Sequence, residues 1–319
     1  TNALRDWEKR WDPVTPESLP RIVFLNECPE DDAAWHALAG DECDDPDDDE
    51  SNGSPYHLAF PQVEERIPLK QLRWQGQLLT SSHPTFHLLP AMFVGQQVVA
   101  FCLITGSDEG RWLFGSYLWM DDAYRHEGRA IQFVRRVLDE CSQLVPQLRG
   151  VVFEVDPVGE VPSADLIRID ESSPDDFVRE SIRRLLRIKL YQTQMNCRVL
   201  LQANGTPISY RQPSMLSSLS PEGEVPLFLF LRYACPIPVD VQLQRQDMSE
   251  VLGYLFDVFW PAQSYVGTNL ATPEWLERVR EIGDQSQREA AEGSLGLIEF
   301  DQNCRQLLKA ARGDSRFRL

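Results

Sequence analysis

Apolar positions along this chain follow two periods, and the switch between them marks the elements. Ala91 to Thr105, "AMFVGQQVVAFCLIT", reads as two apolar runs broken at Gly95-Gln96, which predicts a hairpin. "RWLFGSYLWM" (Arg111 to Met120) alternates as a further strand. From Gly128 to Leu144 the period becomes helical, with Ile131, Val134, Leu138 and Cys141 on one face, and Pro146 and Gly150 close that unit. "GVVFEVDP" (Gly150 to Pro157) is a short apolar strand carrying one carboxylate, Glu154. A long helix is predicted from about Asp175 to Gln192, then two strands, "CRVLLQA" and "VPLFLFLRYA", across a Pro/Ser/Gly-rich connection. Upstream, "RIVFLNEC" (Arg21 to Cys28) suits a first strand and Asp31 to Ala39 a short helix. Beyond Cys235 the pattern is helical at Met248 to Phe259, at Pro273 to Ile282 and, more weakly, near Asn303 to Ala311. No internal repeat is visible. This order predicts an α/β fold of the α+β kind, with a mixed central sheet, a strand-helix-strand unit and extra C-terminal helices. The expected organisation is an arm over residues 1–19, a domain over 20–235 and a helical extension over 236–319 packed on it.

Composition narrows the classes. The 319 residues are 42% hydrophobic, enough for a sizeable core. No apolar run reaches the roughly 18 residues of a membrane span, so membrane partners are not expected. The first residues, "TNALRDWEKRWDP", are charged and lack the apolar block of a secretory signal, which leads to an expectation of the cytoplasm. A net charge of −18 repels a phosphate backbone and argues against nucleic acid. The seven cysteines are scattered, with no Cys-x-x-Cys pair, and most of them read as small core residues. The acid-rich run over 41–54 reads as a solvated loop. Asp48, Glu50, Asn52 and Gly53 fall near calcium-loop spacing, but the closing position is Ala59, which has no carboxylate. His83 and His87 stand four apart, but Pro84 between them and the lack of a third ligand speak against a metal.

The chemistry concentrates between the strand ending at Met120 and the helix beginning near Gly128, in "MDDAYRHEGRA". A helix N-terminus presents unpaired N–H groups and a positive dipole end, which suits a diphosphate. Gly128 lets the backbone approach such a group, Ala130 allows close packing as the helix starts, and Arg125 and Arg129 add positive charge at the rim. The string resembles the acyl-coenzyme-A-binding signature of the GNAT superfamily of N-acyltransferases, Arg/Gln-x-x-Gly-x-Gly/Ala after a strand and a turn. Arg125, Gly128 and Ala130 match its defined positions, His126 and Glu127 fill its free ones, Tyr124 precedes it, and Met120 closes the strand.

The resemblance implies an N-acyltransferase, in the first instance an N-acetyltransferase, using acetyl-CoA (coenzyme A) and a small-molecule or peptide amine acceptor. It further implies that two parallel strands diverge around the thioester, with backbone amides near Leu118 and Met120 holding the acyl arm and the oxyanion. Leu118, Trp119 and Met120 thus join 125–130 as cofactor-binding candidates, and Tyr117 and Trp119 are candidates for lining the acceptor pocket. Glu154 is the candidate general base, because a carboxylate inside an apolar strand has its pKa raised by burial. Asp121 and Asp122 come second as bases, being turn formers first. Family members often carry a Tyr general acid four residues before a Gly. In "KLYQTQMNCRVL", with Asn196 at the Gly position, Gln192 falls on the Tyr position and a one-residue insertion restores Tyr191. Asn tolerates the left-handed conformation such a Gly adopts. A catalytically silent module that binds coenzyme A or a protein partner is the alternative reading, and pairing of two copies stays open.

Overall fold

The computed structural model describes residues 20–25, 31–40, 53–59, 85–107, 111–125, 128–157, 176–213, 225–260 and 272–311. The readings made for the N-terminal arm, the acidic run as far as residue 52, Cys28, Cys43, His83, His126 and Glu127 lie outside the described residues, as do the side chains of His87, Tyr117 and Asp122.

Among the described residues, ten strands form a single sheet: β1 (Arg21–Phe24), β2 (Thr85–Leu88), β3 (Pro90–Val94), β4 (Gln97–Ser107), β5 (Trp112–Met120), β6 (Gly150–Val155), β7 (Arg198–Leu201), β8 (Ser209–Gln212), β9 (Val225–Tyr233) and β10 (Ser294–Gly296). Their order is β1-β3-β4-β5-β6-β9-β7-β10, with β2 extending the line of β3 beside β4, and β8 extending that of β7 beside β9. The expected hairpin is β3–β4, turned at Gly95 with φ 62°. Neighbouring strands run antiparallel except β5 and β6, which are parallel and joined by α3 (Arg129–Leu144).

Helices cover both faces. On one side lie α1 (Asp32–Ala39), capped by the Asp31 carboxylate on the Ala34 N–H, and α2 (Pro55–Ala59); they cover Phe93, Phe101 and Leu103. The same side carries α5 (Val241–Gly253), which runs on as a π-helical turn (Tyr254–Phe259), and α6 (Pro273–Ala290). These bury Phe114, Val152, Leu227, Leu229 and Leu231. The opposite side carries α3, α4 (Asp176–Thr193) and α7 (Gln302–Ala311), over Met92, Val151, Val155 and Phe230. Cys102, Cys141 and Cys197 are buried free thiols in this layer, as small core residues.

The C-terminal extension is more than a helical cover, because its β10 pairs with β7 and lengthens the sheet. α5 is tied to the strands by a buried ion pair. Nε and Nη2, one edge of the Arg149 guanidinium, donate to the two Asp247 carboxylate oxygens at 3.0 Å, and the Tyr233 hydroxyl donates to the same carboxylate at 2.8 Å. α6 reaches α5 through Gly283, where an added Cβ would stand 2.7 Å from the Cβ of Phe256. Phe256 is buried and held at its backbone end, so it cannot swing away. Gly283→Ala is therefore expected to destabilise the fold by about 1–3 kcal/mol, measured by urea unfolding.

Candidate functional site

β5 and β6 pair only from Trp112↔Gly150 to Gly115↔Phe153. Past that point β5 continues to Met120 against β4, while β6 continues to Val155 against β9. The parallel pair therefore opens towards its C-terminal end, leaving a cleft within one continuous sheet. A β-bulge marks the opening: Leu103 faces Tyr117 but Ile104 faces Gly115, so Ser116 is the extra residue.

The backbone of β5 beyond the bulge has a fixed sense. The Asp121 N–H donates to the Val99 carbonyl at 2.9 Å, towards β4. By strand alternation the backbone groups of Met120 and Leu118 turn the other way, into the cleft. The Met120 carbonyl bears this out, since on that side it accepts from Arg125 Nε at 2.8 Å. Arg125 thus pins the short 3₁₀ turn Asp122–Tyr124 to the strand end. That turn is also closed by Ala123 N–H on the Asp121 carboxylate, so Asp121 acts as a turn former.

The N-terminus of α3 opens onto this turn. Gly128 is its N-cap residue at φ 74° and ψ 16°, with no side chain capping the first turn. Among the described residues, a Cβ built on Gly128 would meet no heavy atom within 4 Å beyond its chain neighbours, so there is room beside the first turn of α3. Arg129 lies over the Tyr124 ring at 5.4 Å, which keeps a cation at the rim. Ala130 is half-buried against the core beneath α3.

The side chains of β5 divide at the cleft. Met120 is buried under α3, Leu118 is 42% exposed, and Trp119 packs on Phe101 at 5.7 Å on the α1 side. Phe101 is itself buried core, so packing accounts for that contact of Trp119.

Glu154 lies just beyond the last β5–β6 pair. It is opposite Leu229 on β9, and so shares the face covered by α5 and α6. The residue is half-buried, yet its Oε1 is sealed from solvent and has no hydrogen-bond partner among the described residues. Burial pushes its carboxyl up to about 8; a hydrogen bond from Tyr210 opposes the rise and the Asp156 charge adds to it. Tyr191 stands on the other face, at the end of α4. Its ring is buried edge-on to Phe153 at 4.8 Å and beside Phe230 at 6.2 Å, and burial raises the pKa of its phenol. Asn196 adopts φ 53°, the left-handed conformation, and the chain closes by Cys197 N–H on the Tyr191 carbonyl at 2.9 Å. Gln192, the competing residue, is buried and donates to the Ile298 carbonyl at 3.3 Å.

The structure therefore gathers Leu118, Met120, Arg125, Gly128 and Arg129 at one end of the opened pair. Glu154 and Tyr191 flank β6 on opposite faces of the sheet. Sequence reasoning passed over Tyr210, which lies on the Glu154 face of the sheet, and Trp260, whose Nε1 donates to the Tyr210 hydroxyl at 2.6 Å; a lone Tyr in a polar connection and a Trp at a helix end carry no signal of that placement.

No family model matches the chain, and no curated protein matches it in sequence. Solved structures do match. A GNAT-family acetyltransferase from Streptococcus pneumoniae is 11% identical, with a TM-score of 0.37, over 67% of this chain and 99% of that one. The ribosomal-protein-S18-alanine N-acetyltransferase of Escherichia coli is 10% identical, with a TM-score of 0.32, over 70% of this chain and 98% of that one. The PaiA N-acetyltransferase of Thermoplasma acidophilum, solved with coenzyme A, is 8% identical, with a TM-score of 0.33, over 67% and 99%. At these identities and TM-scores the likenesses carry no argument of their own, and what this site can do is reasoned from its geometry.

Proposed function

We propose that the chain is an N-acyltransferase of the GNAT kind, taking acetyl-CoA and an amine acceptor. The observation that carries this reading is the parallel pair that parts after Gly115 and Phe153, with a helix N-terminus beside it that no side chain caps among the described residues. A cleft inside a sheet exposes backbone groups that a closed sheet would consume, and a bare helix N-terminus beside it suits a diphosphate.

Acetyl-CoA supplies the activated acyl carbon. The amides opening α3 at Gly128, with Arg125 and Arg129 at the rim, would hold its diphosphate, and His126 and Glu127 complete that loop in sequence. The cleft-facing amides of Leu118 and Met120 would carry the acyl arm and an oxyanion. Glu154 is the base: with a proton affinity near neutrality it accepts the proton of the incoming ammonium. Tyr191 is the acid for the departing thiolate, on the face opposite Glu154.

Replacing Gly128 tests the cradle. Gly128→Asp places a carboxylate where the diphosphate would lie and is expected to weaken coenzyme A binding by about 100-fold, measured calorimetrically. Gly128→Asn, which tolerates the left-handed conformation without adding charge, is expected to retain most of the affinity. Equal affinity in wild type and the Asp variant would remove the basis of the reading. Thiol release with a panel of amines then separates turnover from binding alone.

A further inference from the structure

The last turn of α4 is wound wider than a regular α-helical turn. The Leu190 carbonyl accepts from Gln194 N–H at 2.8 Å and also from Met195 N–H at 3.3 Å, the second being a π-type span. After the left-handed Asn196, Cys197 N–H reaches back six residues to the Tyr191 carbonyl, one more than in the common ending of this kind. One extra residue is therefore taken up between Tyr191 and Asn196. The carbonyls of that turn are held from two sides, Gln194 by Arg135 of α3 at 3.5 Å and Met195 by Arg232 of β9. One turn earlier, Arg187 donates to Asp156 at 3.2 Å, just past the end of β6.

This turn sends neighbouring side chains to different partners. Tyr191 stands edge-on to Phe153, the β6 residue of the last β5–β6 pair, so its ring lies where the two strands part. Gln192 turns instead to the C-terminal extension, and its Nε2 donates to the Ile298 carbonyl at 3.3 Å. Ile298 and Phe300 pack on the cluster that holds Tyr191, Met195 and Phe230, and α7 lies against α4. The other end of the Gln192 amide, Oε1, is buried without a hydrogen-bond partner among the described residues. An apolar side chain of the same length would fill that space at lower cost, so packing alone does not require an amide there.

We propose that Gln192 is a positioning residue: by tying the widened turn of α4 to residues 298–300, it keeps Tyr191 at the parted end of β5 and β6. This rests on the acyltransfer reading, in which Tyr191 is the acid. The step it serves moves one proton from the Tyr191 oxygen to the coenzyme A sulfur as the bond from acyl carbon to sulfur breaks, leaving a phenolate and a thiol. A proton donor displaced by about an ångström loses much of its effect on the rate, and the tie guards against that displacement. The C-terminal extension is then a working part of the site on the Tyr191 face, acting through Gln192.

Gln192→Met keeps the side-chain length and removes the donor. Since the amide is only half satisfied, the urea midpoint is expected to stay close to that of wild type. The kcat of thiol release should fall by about 10- to 100-fold, with KM for acetyl-CoA unchanged. In protein carrying ¹³C-labelled tyrosine rings, the Tyr191 signal is assigned by its loss in Tyr191→Phe. Its NOE to the Phe153 ring should disappear in Gln192→Met. Phe300→Ala loosens the same contact from the side of the extension and should give the same split, which keeps the test decisive if Gln192→Met folds poorly. Gln202→Ala removes a different bond to the extension, to Glu289 of α6 at 3.4 Å, and should change neither reading. An undisturbed NOE with unchanged kcat in both variants overturns the proposal, as does an equal fall of kcat in Gln202→Ala. The NMR reading needs no turnover. A lost NOE in a protein whose wild type releases no thiol keeps the tie and discards the acyltransfer reading.

Discussion

Glu154→Gln is expected to lower thiol release from acetyl-CoA at neutral pH by about 100- to 10,000-fold, with little change in coenzyme A affinity. The amide matches the carboxyl in size but cannot accept the ammonium proton. The wild-type profile adds a sign. A base held up at about 8 is mostly protonated below that value, so kcat/KM rises as pH rises through it. The variant should lose this limb as well as its rate. Stability moves in the opposite sense. A carboxyl whose folded value is raised holds its proton in the folded state while the unfolded chain has released it. The associated stability is present below about 4.5 and is lost as pH rises through about 8. Gln is free of that loss, so at about pH 9 the variant should be the more stable protein, by on the order of 3 kcal/mol, and at acid pH the two should match. Wild-type turnover in the variant would transfer the base's role elsewhere. A flat difference in stability across the pH range would deny that the carboxyl is buried.

Asp247→Ala is expected to cost about 3–5 kcal/mol in urea unfolding. Asp247 is 3% exposed and accepts from the Nε and Nη2 of Arg149, along with the Tyr233 hydroxyl. Its removal leaves the Tyr233 phenol and the Nε and Nη2 of Arg149 without their acceptor, and that desolvation cost exceeds what the pair itself contributed. Arg149 is 25% exposed at its side chain, so water recovers part of the loss and the lower end of the range is the better expectation. Asp247→Asn keeps an acceptor for Tyr233 but no charge for Arg149, and should fall between the two. The three side chains join the strand ends at Gly150 and Tyr233 to α5. The loss should therefore appear as one cooperative transition, the extension and the sheet unfolding together. A separate early transition for the extension would mean that this junction does not couple them.

Much of the scaffold was legible because its elements carry their period within a few residues. The β3–β4 hairpin turned at Gly95, and α3 began after Gly128, where the helical period begins. The left-handed Asn196 followed from the steric tolerance of that side chain. Short elements did not announce themselves. β2, β8 and β10 span Thr85–Leu88, Ser209–Gln212 and Ser294–Gly296, and each is a strand because a neighbour completes its hydrogen bonds. α5 begins at Val241, ahead of Met248, because its exposed first turn is started by the Asp240 cap instead of by an apolar stripe. Local sequence thus determined which segments could be helix or strand, where the chain turned, and that one carboxylate stood inside an apolar strand. Propensity and period act within a turn or two of the residue that carries them. Tertiary structure alone decided that β9 enters between β6 and β7, that the parallel pair parts after Gly115, and that Trp260 donates to Tyr210. Those contacts join residues far apart in the chain, and only the packing of the C-terminal helices on the sheet brings them within hydrogen-bond reach.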